Sequence, residues 1–359
     1  MPVIDVHCHL FNFSIVNEYY RKPRINKAAG EGNDAGSFTG CLGIPSGEIA
    51  ARMLGYYPPG SVIVPLMMDF DFGGKLFGAT LDTFHKQILE LKLIKARFAN
   101  EWMDCIFPFL AADPRRPNLL KLVKQLVKPS QAFHEIKVYP PLGYLPSHPV
   151  LMEAFSYCAD FRIPVTVHCI PDSSIHCRIR KLPVKGIDPG SGAKIDREMS
   201  FRSADDCTNY LTDPANWGPV LDRFRNLVLN FGHFGGFCPV KKDDRTYSRR
   251  TNKPVKSSLE EQWRKTIEEY IRKYPHVYAD LSYIMATIPQ QEEDVRLLNR
   301  LIDDPVTGNR ILYGSDYYMT YLATRNGFAQ ALAALIRALE TRFEKISWIN
   351  ANRFLFSKG

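Results

Sequence analysis

The sequence has no long hydrophobic run and no cysteine pattern typical of disulfides or zinc fingers. No stretch approaches 18 consecutive apolar residues, which argues against a membrane-spanning helix. Its eight cysteines show no C-x-x-C spacing and follow no secretory signal, so we expect reduced, mostly buried thiols. We therefore expect a cytoplasmic protein with neither a disulfide framework nor a membrane partner.

Charge of one sign is also not concentrated at any motif, although the formal net charge is +8. The densest basic run, residues 241–256, contains seven Lys or Arg against two Asp. We interpret this run as a solvated loop that helps to attract an anionic substrate, with a nucleic-acid site as the less favoured alternative. The partner that we expect is a small molecule and not a nucleic acid.

Short apolar or β-branched runs alternate with amphipathic stretches along the whole chain. The runs predict eight strands, at residues 3–7, 61–68, 105–112, 134–139, 164–169, 227–233, 277–282 and 310–315. Between them, stretches such as 81–98 and 118–127 repeat apolar residues every three to four positions, which is typical of helices. Eight near-continuous apolar strands separated by helices indicate a parallel sheet that closes into a (β/α)8 TIM barrel.

This α/β fold is predicted to form one domain over residues 1–359, with long βα-loop insertions after strands 1, 5 and 6. The insertions span about residues 10–60, 170–213 and 235–258. Each follows a strand, so each is expected at the rim where barrel active sites lie, as a lid or specificity element. A homo-oligomer is left open by the sequence.

Two histidines stand one residue apart in the first strand, in the run VIDVHCHLFN. Residues i and i+2 of a strand share a face, so the imidazoles of His7 and His9 can converge on one point. A chance pair is the alternative, because about 0.2 such pairs are expected at random in this composition.

Further polar residues stand at the ends of other predicted strands. Each has a structural alternative, such as a satisfied core histidine or a turn carboxylate. Together, however, they would meet at a single rim of the barrel. The set comprises His7, His9, Lys137, His168, His233 and Asp316.

Histidine and carboxylate without cysteine thiolate suit Zn²⁺, with Mn²⁺ and Fe²⁺ as alternatives, in a site that keeps a position open. A metal ion lowers the pKa of bound water, and a neighbouring carboxylate can transfer the proton. These residues therefore predict hydrolytic chemistry.

The motifs IDVHCH, KVYPPLGY, VHC, GHFGG, YADLS, YGSDY and NANRFLF follow one another along the chain. In this combination the sequence resembles the amidohydrolase superfamily. The resemblance is to the amidohydrolase-related branch, which also contains the aminocarboxymuconate-semialdehyde and hydroxybenzoate decarboxylases. It spans essentially the whole chain and is less specific for a reaction than for the superfamily.

The resemblance implies that His7, His9, His168 and Asp316 are metal ligands and that Asp316 also shuttles protons. In members with one metal ion, the residue matching His233 positions water and substrate. In members with two, it binds the second ion, and a carboxylated strand-4 lysine bridges the pair. The resemblance thus implies one or two ions per chain.

Lys137 is the position at which these alternatives differ. If carboxylated, it would be an anionic bridge in a binuclear hydrolase; if unmodified, it would be a cation placed to meet a substrate carboxylate. An ion pair with Glu135, which shares its strand face, is the structural alternative.

Substrate contacts are predicted from the same rim. Tyr139 and Tyr144 flank a Pro-Pro-Leu-Gly turn that would shape the pocket wall, with plain packing as the alternative. Arg178, in the long loop after strand 5, could clamp a carboxylate. Asp280 could contact substrate, orient a ligand imidazole or cap a helix.

The predicted set of metal ligands is compatible with two reactions. The favoured prediction is a metal-dependent hydrolase in which a metal-activated water attacks an amide, lactone or ester of a small, carboxylate-bearing substrate. The alternative is nonoxidative decarboxylation of an aromatic or unsaturated carboxylic acid, with Asp316 or His233 managing the proton at carbon.

Overall fold

The computed structural model describes nine ranges of the chain and one single residue. They are residues 1–16, 40, 42–72, 82–99, 104–127, 131–172, 181–236, 259–283, 292–324 and 327–356.

Eight short parallel strands form the centre of the fold. In chain order they are β1 (Ile4–Cys8), β2 (Val62–Pro65), β3 (Phe109–Ala111), β4 (Glu135–Val138), β5 (Val165–His168), β8 (Leu229–Gly232), β9 (Val277–Asp280) and β10 (Ile311–Leu312). Seven lie within the segments that the sequence predicts as strands, and β1 extends one residue past its predicted end, to Cys8. Strand β3 begins later than predicted, since Pro108 has no amide hydrogen to donate to a ladder.

The eight strands close into a barrel. Parallel ladders join β1 to β2 and run without a break from β3 through β4, β5, β8 and β9 to β10. Bridges between Ile63 and Ile106 and between Leu66 and Phe109 connect β2 to the third strand. The last seam is closed by Val6 N, which donates to Tyr313 O at 3.1 Å. The predicted (β/α)8 barrel is confirmed.

Helices connect and surround the strands. The α-helices are α1 (Ser46–Tyr56), α2 (Thr83–Phe98), α3 (Leu119–Leu126), α4 (Pro149–Asp160), α5 (Ala204–Thr212), α6 (Gly218–Arg223), α7 (Leu259–Lys273), α8 (Glu292–Asp303), α9 (Tyr317–Ala323), α10 (Phe328–Leu339), α11 (Thr341–Glu344) and α12 (Asn350–Phe356). Short 3-10 helices cover Phe70–Phe72, Pro140–Leu142, Pro214–Trp217, His233–Gly235 and Thr307–Asn309, and a π-helix covers Lys345–Ile349. Across the described ranges, none of the helices has the length and apolar composition needed to cross a membrane.

The segment after β5 contains an antiparallel hairpin that the sequence analysis did not predict. It consists of β6 (Lys181–Ile187) and β7 (Lys194–Ser200), paired from Lys181–Ser200 to Ile187–Lys194. Its inner residues Leu182 and Val184 pack with α5 in a small separate core. Residues 17–39 and 41 of the insertion predicted after strand 1 lie outside the described residues, as do residues 237–258 of the one predicted after strand 6.

The strands of the barrel are covered by apolar side chains on both faces. One face of the strands packs against the surrounding helices in the main core. The other face forms an interior cluster with residues of α12: Ile4, Val6, Val62, Val64, Leu66, Phe109, Val228, Tyr278, Leu312, Ala351, Phe354 and Leu355. His134, just before β4, hydrogen-bonds through Nε2 to Leu355 O at 3.1 Å. Helix α12 therefore covers the amino-terminal end of the barrel, opposite the predicted site.

Candidate functional site

A β-bulge in β1 determines where the first two histidines point. Between the pairs Asp5–Ile63 and Cys8–Pro65, β1 has two residues where β2 has one. Val6 belongs to the interior cluster, and the next side chain, His7, also faces the inside, where its ring lies 4.7 Å from that of His233. A bulge re-aims side chains in this way. Without it, alternation would have directed the imidazole toward the helices.

Both imidazoles are held through Nδ1. His7 Nδ1 lies 2.9 Å from the Asp280 carboxylate, and His9 Nδ1 lies 2.8 Å from the carbonyl oxygen of Leu66. A carbonyl only accepts, so Nδ1 of His9 carries the hydrogen and its Nε2 presents a lone pair. Burial lowers the pKa of His9 well below its usual value, which keeps the ring neutral.

These rings meet the carboxylate of Asp316. Ligand atoms of His7, His9 and Asp316 all lie within 4.8 Å of one another, and His9 Nε2 is 4.0 Å from Asp316 Oδ1. His7 Nε2 is buried and has no hydrogen-bond partner among the described residues. An orphaned imidazole nitrogen beside a second imidazole and a carboxylate is a donor set that fits Zn²⁺, Mn²⁺ or Fe²⁺.

Asp316 reaches this position through an unusual backbone conformation. Its φ is +44°, in the left-handed region, and its amide donates to His7 O at 2.8 Å. His233 is in the same region with φ +63°. Non-glycine residues adopt such angles at a cost of about 1–3 kcal/mol, and they cluster at functional sites.

His168 and His233, predicted from strands 5 and 6, form a pair of their own. His233 Nε2 lies 3.0 Å from His168 Nδ1, and His233 Nδ1 lies 2.8 Å from Ser282 Oγ. Burial lowers the pKa of His233 well below its usual value. Two imidazole nitrogens at this separation can share one proton, or both can face one cation. The three-residue cluster above does not include His168.

Asp280 connects the two groups. Its carboxylate accepts hydrogen bonds from His7 Nδ1 and, at 2.7 Å, from Asn230 Nδ2, and it also accepts from the backbone N–H of His233 at 3.1 Å. Burial alone would raise the pKa of Asp280, but His7 and the other donors hold it well below its usual range. A permanently ionised carboxylate on Nδ1 directs Nε2 of His7 outward as a ligand. Its predicted contact with substrate stays a prediction.

Asn230 was missed by the sequence analysis, although a signal was present. It is a polar residue in an apolar strand, fully buried, and its register partners on β5 and β9 are Thr166 and Tyr278. Tyr278 lies in the interior cluster, so Asn230 faces the barrel interior as well. An inward-facing amide next to a histidine motif indicates support for a site.

Lys137 lies on β4 in the same barrel interior, paired across the ladder with Thr166. It is 1% exposed, and its Nζ has no hydrogen-bond partner within the described ranges. Burial lowers the pKa of Lys137 from 10.5 to about 8, against the opposite effect of Asp280 and Asp316. The ion pair with Glu135, the structural alternative, is not formed, because both Glu135 oxygens are likewise unpaired there.

The remaining predicted contacts are placed differently. The ring of Tyr139 lies 4.4 Å from that of His168, so this tyrosine borders the histidines. The hydroxyl of Tyr144 is occupied by the backbone, since it accepts a hydrogen bond from Tyr139 N and donates one to Ala112 O. Arg178 and the basic run 241–256 lie outside the described residues.

The cysteines beside the histidines do not belong to the site. Cys8 and Cys169 are buried and free, and both lie in the main core with the helices. Burial raises the pKa of both thiols well above the usual value, so neither is poised as a nucleophile.

Comparison with protein families gives one match to nearly the whole chain. A family model described as amidohydrolase matches residues 4–356. Among curated proteins, none matches.

Several solved structures share the fold at low sequence identity. An uncharacterised TIM-barrel protein from Bordetella bronchiseptica superimposes with a TM-score of 0.55 and 12% identity, covering 99% of this chain and 98% of that one. The 5-carboxyvanillate decarboxylase of Sphingomonas paucimobilis gives 0.54 and 14%, with the same coverage. A dihydroxybenzoic acid decarboxylase from Polaromonas, solved with manganese and the inhibitor 2-nitroresorcinol, gives 0.52 and 14%, covering 99% and 96%. Likeness at this identity establishes the fold.

Proposed function

Since this chain belongs to the amidohydrolase family, we propose that it is a metal-dependent enzyme that releases CO2 from a small aromatic or unsaturated carboxylic acid. Two structures with the same fold are decarboxylases of aromatic acids, which supports this reaction over hydrolysis.

The metal ion would be held by His7, His9 and Asp316, with His168 as a further ligand. The ion supplies a Lewis acid that orients the substrate and stabilises negative charge on its oxygens. Zn²⁺, Mn²⁺ and Fe²⁺ all suit this donor set, and one related decarboxylase contains manganese. His7 and His9 are ready to bind because Asp280 and Leu66 O occupy their Nδ1 atoms.

The observation that carries the choice of substrate is the buried Nζ of Lys137, which has no hydrogen-bond partner in the described ranges. A buried ammonium is costly unless an anion lies beside it, and among the described residues no carboxylate forms a hydrogen bond with this one. Its charge acts on His9, His233, Asp280 and Asp316, which supports a role for Lys137 beside the proposed metal centre. A substrate carboxylate or phenolate would supply the missing partner.

The reaction then requires one proton at the carbon that loses the carboxylate. The carbon–carbon bond breaks, its electron pair remains on the substrate carbon, and a proton from Asp316 or His233 forms the new C–H bond as CO2 leaves. Asp316 lies within the ligand cluster, so it can deliver the proton to a substrate carbon beside the ion. His233 is the alternative donor, and its Nδ1 is hydrogen-bonded to Ser282.

The test is to incubate the protein, loaded with Mn²⁺ or Zn²⁺, with dihydroxybenzoates and 5-carboxyvanillate. We expect the decarboxylated arene and CO2 in equal amounts, and a loss of about 100-fold or more in Asp316→Asn, because a positioned proton donor contributes about that much. Asp303→Asn, which loses only a surface ion pair with Arg342, serves as the control. Turnover of esters or lactones without any decarboxylation would contradict the proposal.

A second function, hydrolysis of an amide, lactone or ester, is favoured by one feature of the site. The amine of Lys137, which has no hydrogen-bond partner among the residues that the structure describes and a pKa of about 8, is available for carboxylation by CO2. His168 and His233 present nitrogens 3.0 Å apart, which is suitable for a second ion that such a bridge would share. In that case Asp316 would protonate the leaving group.

Metal stoichiometry separates the two functions. Elemental analysis of protein purified with bicarbonate and without chelators should give about one ion per chain for the decarboxylase, unchanged by Lys137→Ala. About two ions, falling to one or none in Lys137→Ala, would instead support the hydrolase. An intact mass increased by one CO2, present only in bicarbonate, would identify the modified lysine.

A further inference from the structure

Asp5 is a fully buried carboxylate that the proposed reaction does not use. It lies two residues before His7 on β1, in register with Ile63 of β2. Oδ1 accepts from the backbone N–H of Ser315 at 2.8 Å and of His7 at 3.2 Å. Oδ2 accepts from the hydroxyl of Tyr57 at 2.9 Å. The carboxylate therefore joins three separate parts of the chain.

Two of its three donors adjoin predicted metal ligands. One is the amide of His7 itself, and the other belongs to Ser315, the residue before Asp316. The same seam is crossed by Asp316 N, which donates to His7 O at 2.8 Å. Strands β1 and β10 are thus held together at the level of the ligands, and one Asp5 oxygen contacts both sides.

The position of Asp5 relative to the bulge gives this contact its importance. The extra residue of β1 lies between Asp5 and Cys8, and a bulge leaves one residue out of the regular ladder. The His7 amide in this interval is bound by the Asp5 carboxylate. By binding this amide, the Asp5 carboxylate stabilises the bulge, and the bulge directs the His7 imidazole into the barrel.

Tyr57 holds the carboxylate from the other side. This residue follows α1, is buried, and also lies 3.0 Å through its hydroxyl from the hydroxyl of Tyr313. Because Tyr313 directly follows β10, the Tyr57 hydroxyl links the segment after β1 to the strand that precedes Asp316. The orientation of Asp5 is therefore fixed at both oxygens.

From these contacts we infer that Asp5 is a positioning residue for the metal centre, which sets the distance between the His7 and Asp316 ligand atoms without touching the ion. This inference rests on the metal site of the proposed function, but not on the reaction that the site catalyses.

The inference distinguishes the shape of the side chain from its charge. In Asp5→Asn, the amide oxygen can still accept from both backbone amides, and the NH2 group can donate to the Tyr57 oxygen. In Asp5→Ala, the three donors lose their acceptor. A positioning role therefore predicts that Asp5→Asn keeps the metal affinity that Asp5→Ala loses.

Asp304 provides a matched control. Its Oδ1 accepts from the amides of Val306 and Thr307, and its Oδ2 accepts from Arg272, so Asp304→Ala also removes an acceptor of two amides and one side chain. This residue lies just after α8, in the αβ loop that leads to the amino-terminal end of β10. The Asp304→Ala substitution should lower the stability of the fold without changing the metal centre.

The experiment measures the Kd for Co²⁺ by competition with a chelator, and the visible spectrum of the Co²⁺ protein. We expect Asp5→Ala to weaken binding by about 10–100-fold and to change the ligand-field bands, as outer-shell changes do. Asp5→Asn should stay within about threefold of wild type, and Asp304→Ala should match wild type in both measurements.

The outcomes separate the two proposals. Wild-type affinity and spectrum in folded Asp5→Ala would overturn the role of Asp5 alone, and so would an equal loss in Asp304→Ala. Absence of Co²⁺ binding in the wild type would overturn the metal centre as well. Should Asp5→Ala fail to fold, Tyr57→Phe removes the Oδ2 contact together with the contact of the same hydroxyl to Tyr313, and Tyr313→Phe removes the latter alone. A spectrum changed in Tyr57→Phe but not in Tyr313→Phe would support the inference, and an unchanged spectrum in Tyr57→Phe would oppose it.

Discussion

In the proposed metal centre, the two histidines of β1 are oriented by acceptors that do not themselves belong to the ligand set. Asp280 and the carbonyl of Leu66 occupy Nδ1 of His7 and His9, so both rings present Nε2. An imidazole whose Nδ1 already has an acceptor presents its Nε2 lone pair toward a cation. At the scale of single residues, the site depends on these outer contacts as much as on the ligands.

Replacement of Asp280 by asparagine should weaken metal binding. The neutral amide no longer favours the His7 tautomer with hydrogen on Nδ1, and loss of such a partner typically costs about 10–100-fold in affinity. Chelator competition measures the change. Asp222→Asn, at an exposed carboxylate paired with Lys273, should bind as wild type does, and equal affinities in both variants would refute this role of Asp280.

The charge of Lys137 should appear in the pH dependence of substrate binding. Its pKa is lowered to about 8, so the ammonium is present below that pH and is lost above it. We expect kcat/KM for a carboxylate substrate to fall about tenfold per pH unit above pH 8 in bicarbonate-free buffer, through a rise in KM. Lys137→Met should show a high KM that no longer changes across this range. A profile that is flat in the wild type would exclude the ammonium as the substrate anchor.

Among the secondary-structure elements, two glycines give the His7 ring its space. A Cβ at Gly314, after β10, would lie 2.6 Å from His7 Cβ, and one at Gly232, at the end of β8, would lie 2.9 Å from His7 Cε1. Contacts this short force backbone or ring to move. The bulge in β1 and the glycines of the other strands together determine where the imidazole lies.

Gly314→Ala should therefore lower both stability and metal affinity. Overpacking at a filled site costs about 1–3 kcal/mol of unfolding free energy, and a displaced His7 ring would leave the ligand cluster. Urea unfolding and chelator competition measure the two effects. Gly55→Ala in α1, where nothing lies within 4 Å, should instead stabilise the protein by about 0.5–1 kcal/mol and leave metal binding unchanged.

For the molecule as a whole, the site lies across the seam that closes the barrel. His7 and His9 come from β1, whereas Asp316 follows β10, and only a few hydrogen bonds join these two segments directly. An ion bound to both would connect the first and last strands. The opposite end is covered by α12, whose Phe354 packs on Tyr278 with ring centroids 5.3 Å apart.

Metal removal should consequently destabilise the folded chain. At free metal of 100 times Kd, binding adds about 2.7 kcal/mol to the unfolding free energy, measurable as a higher Tm with metal than with EDTA. His9→Ala should abolish that difference. Phe354→Ala should lower stability by about 3–5 kcal/mol with and without metal alike. A Tm difference that survives in His9→Ala would place the bound ion elsewhere.

The eight barrel strands could be predicted because each is a short, mostly apolar run buried on both faces. The β6–β7 hairpin was missed, although its alternation and the Asp188–Ala193 turn were readable as strand signals. The bulge in β1 was not readable, because it depends on how β2 pairs beside it. Nothing in the local sequence indicates that the consecutive side chains of Val6 and His7 both point into the barrel.

The sequence by itself determined the residue types and their order along the strands, since apolar periodicity and strand-end histidines are local properties of the chain. Only the tertiary structure decided how these residues meet. It grouped His7 and His9 with Asp316, paired His168 with His233, left Lys137 without a hydrogen-bond partner in the described part of the chain and placed Asp5 behind the proposed ligands. Such contacts join residues up to about 310 positions apart, and their distances are set by barrel closure and packing, which no short stretch of sequence encodes.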